Sequence, residues 1–198
     1  MNSKRHFLST SVAAGTAAAL SACASPTARG SGAAGPALLT LTGAVRPNRG
    51  PLDKALDQMM AKQQITFERA HALDFAALTA LPAHDMRPTL EYDARPHRLR
   101  GPLLTDVLAA AGSPPQDAAL PLALRAIDGY TVPITLGEAR RLGLIVATHL
   151  DGAPIPLGGL GPLWAVLDAD RIPELAAKPL PERFAQCPWG LYHVAVGV

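Results

Sequence analysis

Residues 152–166 read GAPIPLGGLGPLWAV, a run of glycine and proline that passes directly into an apolar segment containing Trp164. Proline fixes φ and removes a backbone donor, and glycine opens left-handed backbone, so a regular helix cannot run through Gly152–Pro162. The chain has to turn there and emerge as a short apolar strand. Two readings of such a corner stand: a rigid turn between strands, or one wall of a groove for a flat ligand, with apolar sides and backbone amides as its polar groups.

The rest of the chain alternates in the same short units. ALLTLTGAV at 37–45 has the period of a strand. LALRAI at 122–127 and YTVPI at 130–134 flank Asp128-Gly129, a pair that marks a tight hairpin turn. LIVATHL at 144–150, LWAVL at 163–167 and LYHVAV at 191–196 complete the strands. Helical spacing predicts a helix over 52–62, with Leu52, Ala55, Leu56 and Met59 on its buried side. A shorter helix over 73–82 ends at Pro82, and a further one over 101–112 has Pro102 in its first turn and Gly112 at its stop. Arg87–Tyr92 reads as one more strand, and Pro114 and Pro115 mark a loop. Short helices among several strands predict an α+β domain, mostly β, with a mixed, barrel-like sheet. The G-x-G pairs at 30–32 and 159–161 lack the strand-turn-helix setting of a dinucleotide site.

The amino terminus reads as a targeting signal. Lys4 and Arg5 precede an apolar run from Phe7 to Leu20 that is too short and too rich in Ala, Ser and Thr to span a bilayer, and LSAC follows at 20–23. This resembles a bacterial lipoprotein signal, which implies removal of residues 1–22 and acylation, with palmitate among the acyl groups, of Cys23. SKRHFL is similar to the twin-arginine export pattern, with Lys4 in place of the first arginine. Residues 23–36 are small and polar and read as a tether, leaving residues 37–198 as one domain. Cleavage removes Lys4 and Arg5 and no acid, so the basic count falls from 18 to 16 against 16 acids and the net charge from +2 to zero. Nothing then favours nucleic acid as a partner. The expected partners are membrane lipid, through Cys23, and an envelope protein; the expected place is the cell envelope, facing the periplasm from the outer membrane. Cys187 is the one thiol left, which excludes an intramolecular disulfide and a cysteine-held zinc or iron–sulfur centre.

Taken in order, TLTGAV, GPLLTDVLAAAG, AIDGYTVPI, GAPIPLGGLGPLWAV and the terminal tryptophan-containing strand resemble the small exported relatives of the molybdopterin-binding domain of sulfite-oxidase-type enzymes. The resemblance covers about residues 38–198, with an insertion near 48–70, and implies a strand-dominated α+β fold. In catalytic relatives one protein cysteine ligates molybdenum from the segment leading into the helix; the matching MRPTLEYDARPHRLRG has no cysteine. Leu160-Gly161-Pro162-Leu163 and Gln186-Cys187-Pro188-Trp189 keep the glycine and prolines of the family, and lack its phosphate-facing histidine and lysine. The resemblance therefore implies a module without the metal ligand, no bound cofactor and no catalytic set. The alternative is an oxidoreductase that holds molybdenum cofactor in an unusual way and acts on a small oxyanion.

Under either reading the candidate cofactor-binding residues are Arg95, His97, Arg98, Arg100, Asp128, Tyr130 and Trp164. The first four form the densest basic cluster, able to clamp phosphate or carboxylate, or else to lie in solvent balanced by Glu91 and Asp93. Asp128 can accept a ligand hydrogen bond or cap its own turn. Tyr130 and Trp164 offer rings to the ligand or to the core. Cys187 is expected to be a buried small hydrophobe, and His149 and His193, each in an apolar strand, can face each other only if those strands pair.

Overall fold

The structure is a computed structural model and describes residues 35–113 and 117–197. The expected signal at 1–22, Cys23 with most of its tether, and the Pro114-Pro115 loop lie outside the described residues. The elements are β1 (Ala37–Gly43), α1 (Gln58–Lys62), β2 (Ala70–Asp74), α2 (Phe75–Thr79), β3 (Ala83–Met86), β4 (Leu99–Pro102), α3 (Leu104–Ala110), β5 (Pro121–Ala126), β6 (Thr131–Thr135), α4 (Leu136–Arg141), β7 (Ile145–Ala147), β8 (His149–Leu150), β9 (Ala153–Pro154), β10 (Trp164–Val166), α5 (Pro173–Ala176) and β11 (Leu191–Val196).

These strands form three sheets. A five-stranded sheet runs β2-β1-β11-β5-β6, a four-stranded one β3-β4-β8-β9, and β7 pairs with β10. In the large sheet β1 and β11 are parallel and the other neighbours antiparallel. The mixed α+β domain is as expected, but the barrel-like sheet is not: β2 and β6 are two separate edges, and the sheet stays open. Both edges have a local reason not to seek closure. Asn48 covers β2, its side-chain amide donating to the Ala72 carbonyl and its oxygen accepting from the Ala72 N–H. β6 carries Pro133, which has no N–H to offer another strand.

One face of the large sheet supplies Leu39, Leu41, Leu122, Leu124, Val194 and Val196, which join Leu104, Val107 and Leu108 of α3 and the β7–β10 pair in the main core. A smaller cluster, Met60, Ile65 and Tyr192, joins the 52–67 excursion to the sheet. Helix α3 ends where expected, at Gly112 with φ +74°. Gly101 and Pro102, expected at its start, instead end β4. Gly101 lies against β7 so closely that an added Cβ would stand 2.0 Å from the Val146 carbonyl oxygen.

Three further expectations are corrected. The 52–62 helix shrinks to its last turn because the Asp53 carboxylate accepts from the Ala55 and Leu56 N–H groups and holds a turn there. Its packing is also different: Met60 is buried, whereas Leu56 and Met59 are exposed. Arg87–Tyr92 makes a single bridge, Thr89 to Pro96, because residues 90–95 fold into a tight loop through Leu90–Arg95 and Ala94–Leu90 backbone bonds. The segment expected to be one helix at 73–82 divides into the end of β2 and α2, with the Asp74 side chain accepting from Ala77 N–H as the N-cap.

Gly101→Ala is expected to lower the free energy of urea unfolding by about 3 kcal/mol, the cost of forcing a methyl group into a packed backbone contact. A loss below about 0.5 kcal/mol would mean that β4 and β7 part easily.

Candidate functional site

Strand β3 places Asp85 opposite Arg100 of β4. Both Arg98 and Arg100 reach this one carboxylate: Arg98 Nε donates to Oδ1 and Arg100 Nη1 to Oδ2, each at 2.9 Å. The Arg98 guanidinium, more than that of Arg100, holds the Asp85 carboxyl below its ordinary range. His97 is gripped from both sides, with Nδ1 2.6 Å from Asp151 Oδ2 and Nε2 2.9 Å from Asp93 Oδ2. Asp151 also accepts from the Arg98 backbone N–H. Two carboxylates on two ring nitrogens favour the imidazolium, and the bond to Asp151, then that to Asp93, raises the His97 pKa. Arg95 is exposed on the same loop, close enough to Asp93 to help keep that carboxyl ionised. The cluster is therefore balanced by Asp85, Asp93 and Asp151, of which only Asp93 was expected from the sequence.

Asp128 and Tyr130 lie elsewhere, in a cleft of about 170 Å³ bordered by Glu91, Tyr92, Cys187 and Trp189. Asp128 caps its turn, its carboxylate accepting from the Tyr130 N–H at 2.9 Å. The Tyr130 hydroxyl donates to the Ala185 carbonyl. Arg98 and Arg100 border a different cavity, of about 280 Å³, with His149 and Gly152. Trp164 borders neither. It is buried in the core, its indole N–H donating to the Cys187 carbonyl at 2.9 Å. The seven candidate residues thus do not assemble around one ligand.

The 152–166 corner is a turn between strands. Leu157 bridges to Gly161, and Gly161 packs on the Ile155 backbone so tightly that a Cβ there would lie 2.4 Å from the Ile155 oxygen. His149 and His193 do not face each other, because they belong to different sheets. His149 Nδ1 meets the Thr148 hydroxyl. His193 Nε2 meets the Thr42 hydroxyl at 3.0 Å, while its Nδ1 and the nearby Arg125 Nε are buried without a hydrogen-bond partner. Burial, with a smaller push from Arg125, lowers the His193 pKa to about 4. A histidine in an apolar strand carries no sequence signal for this environment.

Cys187 is buried in the wall of the Asp128–Tyr130 cleft, and desolvation, aided by Glu91, pushes its thiol up to about 12. Burial beside Glu91 likewise pushes the Tyr92 phenol up to about 12. A metal of the molybdenum type needs the thiolate. Buried Cys187 shares a cleft of only about 170 Å³ with Glu91 and Tyr92, too small for a pterin-held metal beside its sulfur, so the residues present do not fit that group. Among the described residues no cluster of three or more His, Cys, Asp or Glu side chains is arranged to hold a metal ion. Compared with known proteins, the chain matches no family profile and no curated protein.

Two titrations follow. A raised His97 pKa contributes stability that is complete below the ordinary value of 6.5 and is lost as pH rises through the folded value. The His97 ring signal in NMR is expected to titrate above 6.5 and to move down in Asp151→Asn; a midpoint at or below 6.5 in the unsubstituted protein would contradict the double grip. His193 has the opposite sign: its neutral form is folded, so on the order of 3 kcal/mol present above pH 6.5 is lost as pH falls from there to about 4. Urea titrations should show His193→Gln with a flatter stability profile over that window, and equal slopes would count against a depressed His193.

Proposed function

We propose that this chain is a lipid-anchored module of the cell envelope, related to the molybdopterin-binding domain of sulfite-oxidase-type enzymes, that acts as a binding or accessory component without redox catalysis. The observation that carries this reading is the state of Cys187. The only described thiol is buried in the wall of a small cleft beside Glu91 and Tyr92, where a pterin-held metal has no room to reach its sulfur. The cations of the 95–100 loop add support, because Arg98, Arg100 and His97 are already held by three aspartates. A pterin phosphate would have to displace those carboxylates. The cleft of about 170 Å³ is also below the usual range of roughly 300–1,000 Å³ for small-molecule sites.

Anchoring rests on the LSAC sequence at 20–23, with residues 24–36 as the tether and the outer membrane as its place. An envelope protein is the partner this reading assigns to the exposed Trp189 and Tyr130 rims.

Protein produced in a host competent for molybdenum-cofactor synthesis is expected to contain less than a tenth of an equivalent of molybdenum by mass spectrometry and no oxidised-pterin fluorescence, while a control enzyme loads fully. Its intact mass should match a chain that starts at an acylated Cys23. Stoichiometric molybdenum would replace this reading with that of an oxidoreductase acting on a small oxyanion, and a mature chain starting at Met1 would remove the anchor.

A further inference from the structure

Among the described residues six large apolar side chains are exposed, and they divide by kind. Tyr92, Tyr130 and Trp189 surround the small cleft above. The three aliphatic ones, Leu56 (82 % exposed), Leu157 (73 %) and Met59 (43 %), all border one open groove of about 450 Å³. They come from segments about a hundred residues apart in sequence, so their meeting is a product of the fold. Met60 and Tyr192 lie deeper in the groove, and Ala37 and Leu38, the first residues of β1, form its end. Its one cation, Arg49, is paired with Asp57, so the wall is electrically neutral.

The chain enters the domain at this groove. The Gly35 N–H donates to the Asp74 carboxylate at 2.7 Å, and β1 begins two residues later. Cys23 lies twelve residues before Gly35. A small-residue chain of that length spans about 20 Å as a coil and no more than roughly 43 Å when fully extended. An anchor at Cys23 therefore holds this groove, more than any face remote from β1, within reach of the bilayer.

We propose that the groove rimmed by Leu56, Met59 and Leu157 is a membrane-seating surface, which enters the headgroup–acyl boundary of a phospholipid bilayer once Cys23 is anchored. This rests on the anchoring proposed above. Three aliphatic side chains are too few to bind a bilayer strongly by themselves, so the tether supplies the local concentration and the groove sets the orientation. Because the wall carries a closed ion pair and no net charge, zwitterionic lipid is enough, and the seating does not depend on ionic strength.

The test uses the full chain with its Cys23 thiol coupled to a maleimide-headgroup lipid in phosphatidylcholine vesicles, which anchors it whatever acylation the cell performs. Buried Cys187 is left unmodified. Hydrogen exchange followed by mass spectrometry is compared with the same chain capped at Cys23 by N-ethylmaleimide in solution. Coupling is expected to slow exchange at least fivefold in peptides covering 54–60 and 156–160, equally at low and high salt, and to leave 84–86 and 97–100 unchanged. The Leu56→Ser, Leu157→Ser double variant should match the parent in solution and lose the slowing on vesicles. No slowing, or equal slowing at 84–86 and 97–100, would overturn the proposal. Slowing at 54–60 in concentrated capped protein without vesicles would overturn it in favour of a second copy of the chain. Failure of acylation in cells would remove the natural anchor and would be read separately, from the intact mass.

Discussion

The parallel pairing of β1 with β11 holds the two ends of the domain together, and the other elements depend on it. Thr40 lies opposite His193 and Leu41 opposite Val194, so strands about 150 residues apart in sequence share the centre of the largest sheet. Closing so long a loop costs conformational entropy before any contact returns it. The return is burial: Leu39, Leu41, Val194 and Val196 have no exposed surface, and β2 and β5 then add to the outer sides of the pair. The Thr42–His193 hydrogen bond lies across the same two strands. It satisfies one ring nitrogen in a place where burial keeps the ring neutral.

From this sheet the polar surface is set by a few backbone approaches. Gly101 lets β4 lie against β7, and β4 in turn carries Arg100 to the register position facing Asp85. The β8–β9 turn brings Asp151, in left-handed backbone, to His97. Charges that look like an anion-binding cluster when read along the chain are consequently neutralised across strands. Since Asp85, Arg98, Arg100 and Asp151 are exposed and screened by water, with only His97 half-buried, their pairing organises the loop more than it stabilises the fold.

Several features were legible from residue order because their physics is local. The Asp128-Gly129 hairpin, the end of α3 at Gly112 and the last strand at 191–196 follow from turn chemistry, left-handed glycine and period-two alternation. Helix α4 also carries a local signal in residue order. Thr135 and Glu138 form a reciprocal capping box, with Leu136 and Ala139 buried behind it. Gly137 obscures that pattern, although it is there because its backbone lies against the Ala118 carbonyl, where a Cβ would approach to 2.9 Å. The face of the 52–62 segment was misassigned for a different reason. The Asp53 carboxylate takes the Ala55 and Leu56 N–H groups into a turn, and Asp57 accepts from the Asp53 N–H while pairing with Arg49, so the helical period does not extend back to Leu52.

What the sequence by itself determined is the alternation of short strands and turns and the shortage of thiols. Only the tertiary structure decided which carboxylates meet Arg98, Arg100 and His97, that Trp164 is core while Asp128 and Tyr130 border a separate cleft, and that Leu56, Met59 and Leu157 share one groove. Turn and strand preferences act through neighbouring backbone atoms and are written in residue order. Charge neutralisation and desolvation depend on distance through space, and partners such as Asp85, 13 residues from Arg98, and Asp151, 54 residues from His97, are brought near only by the fold.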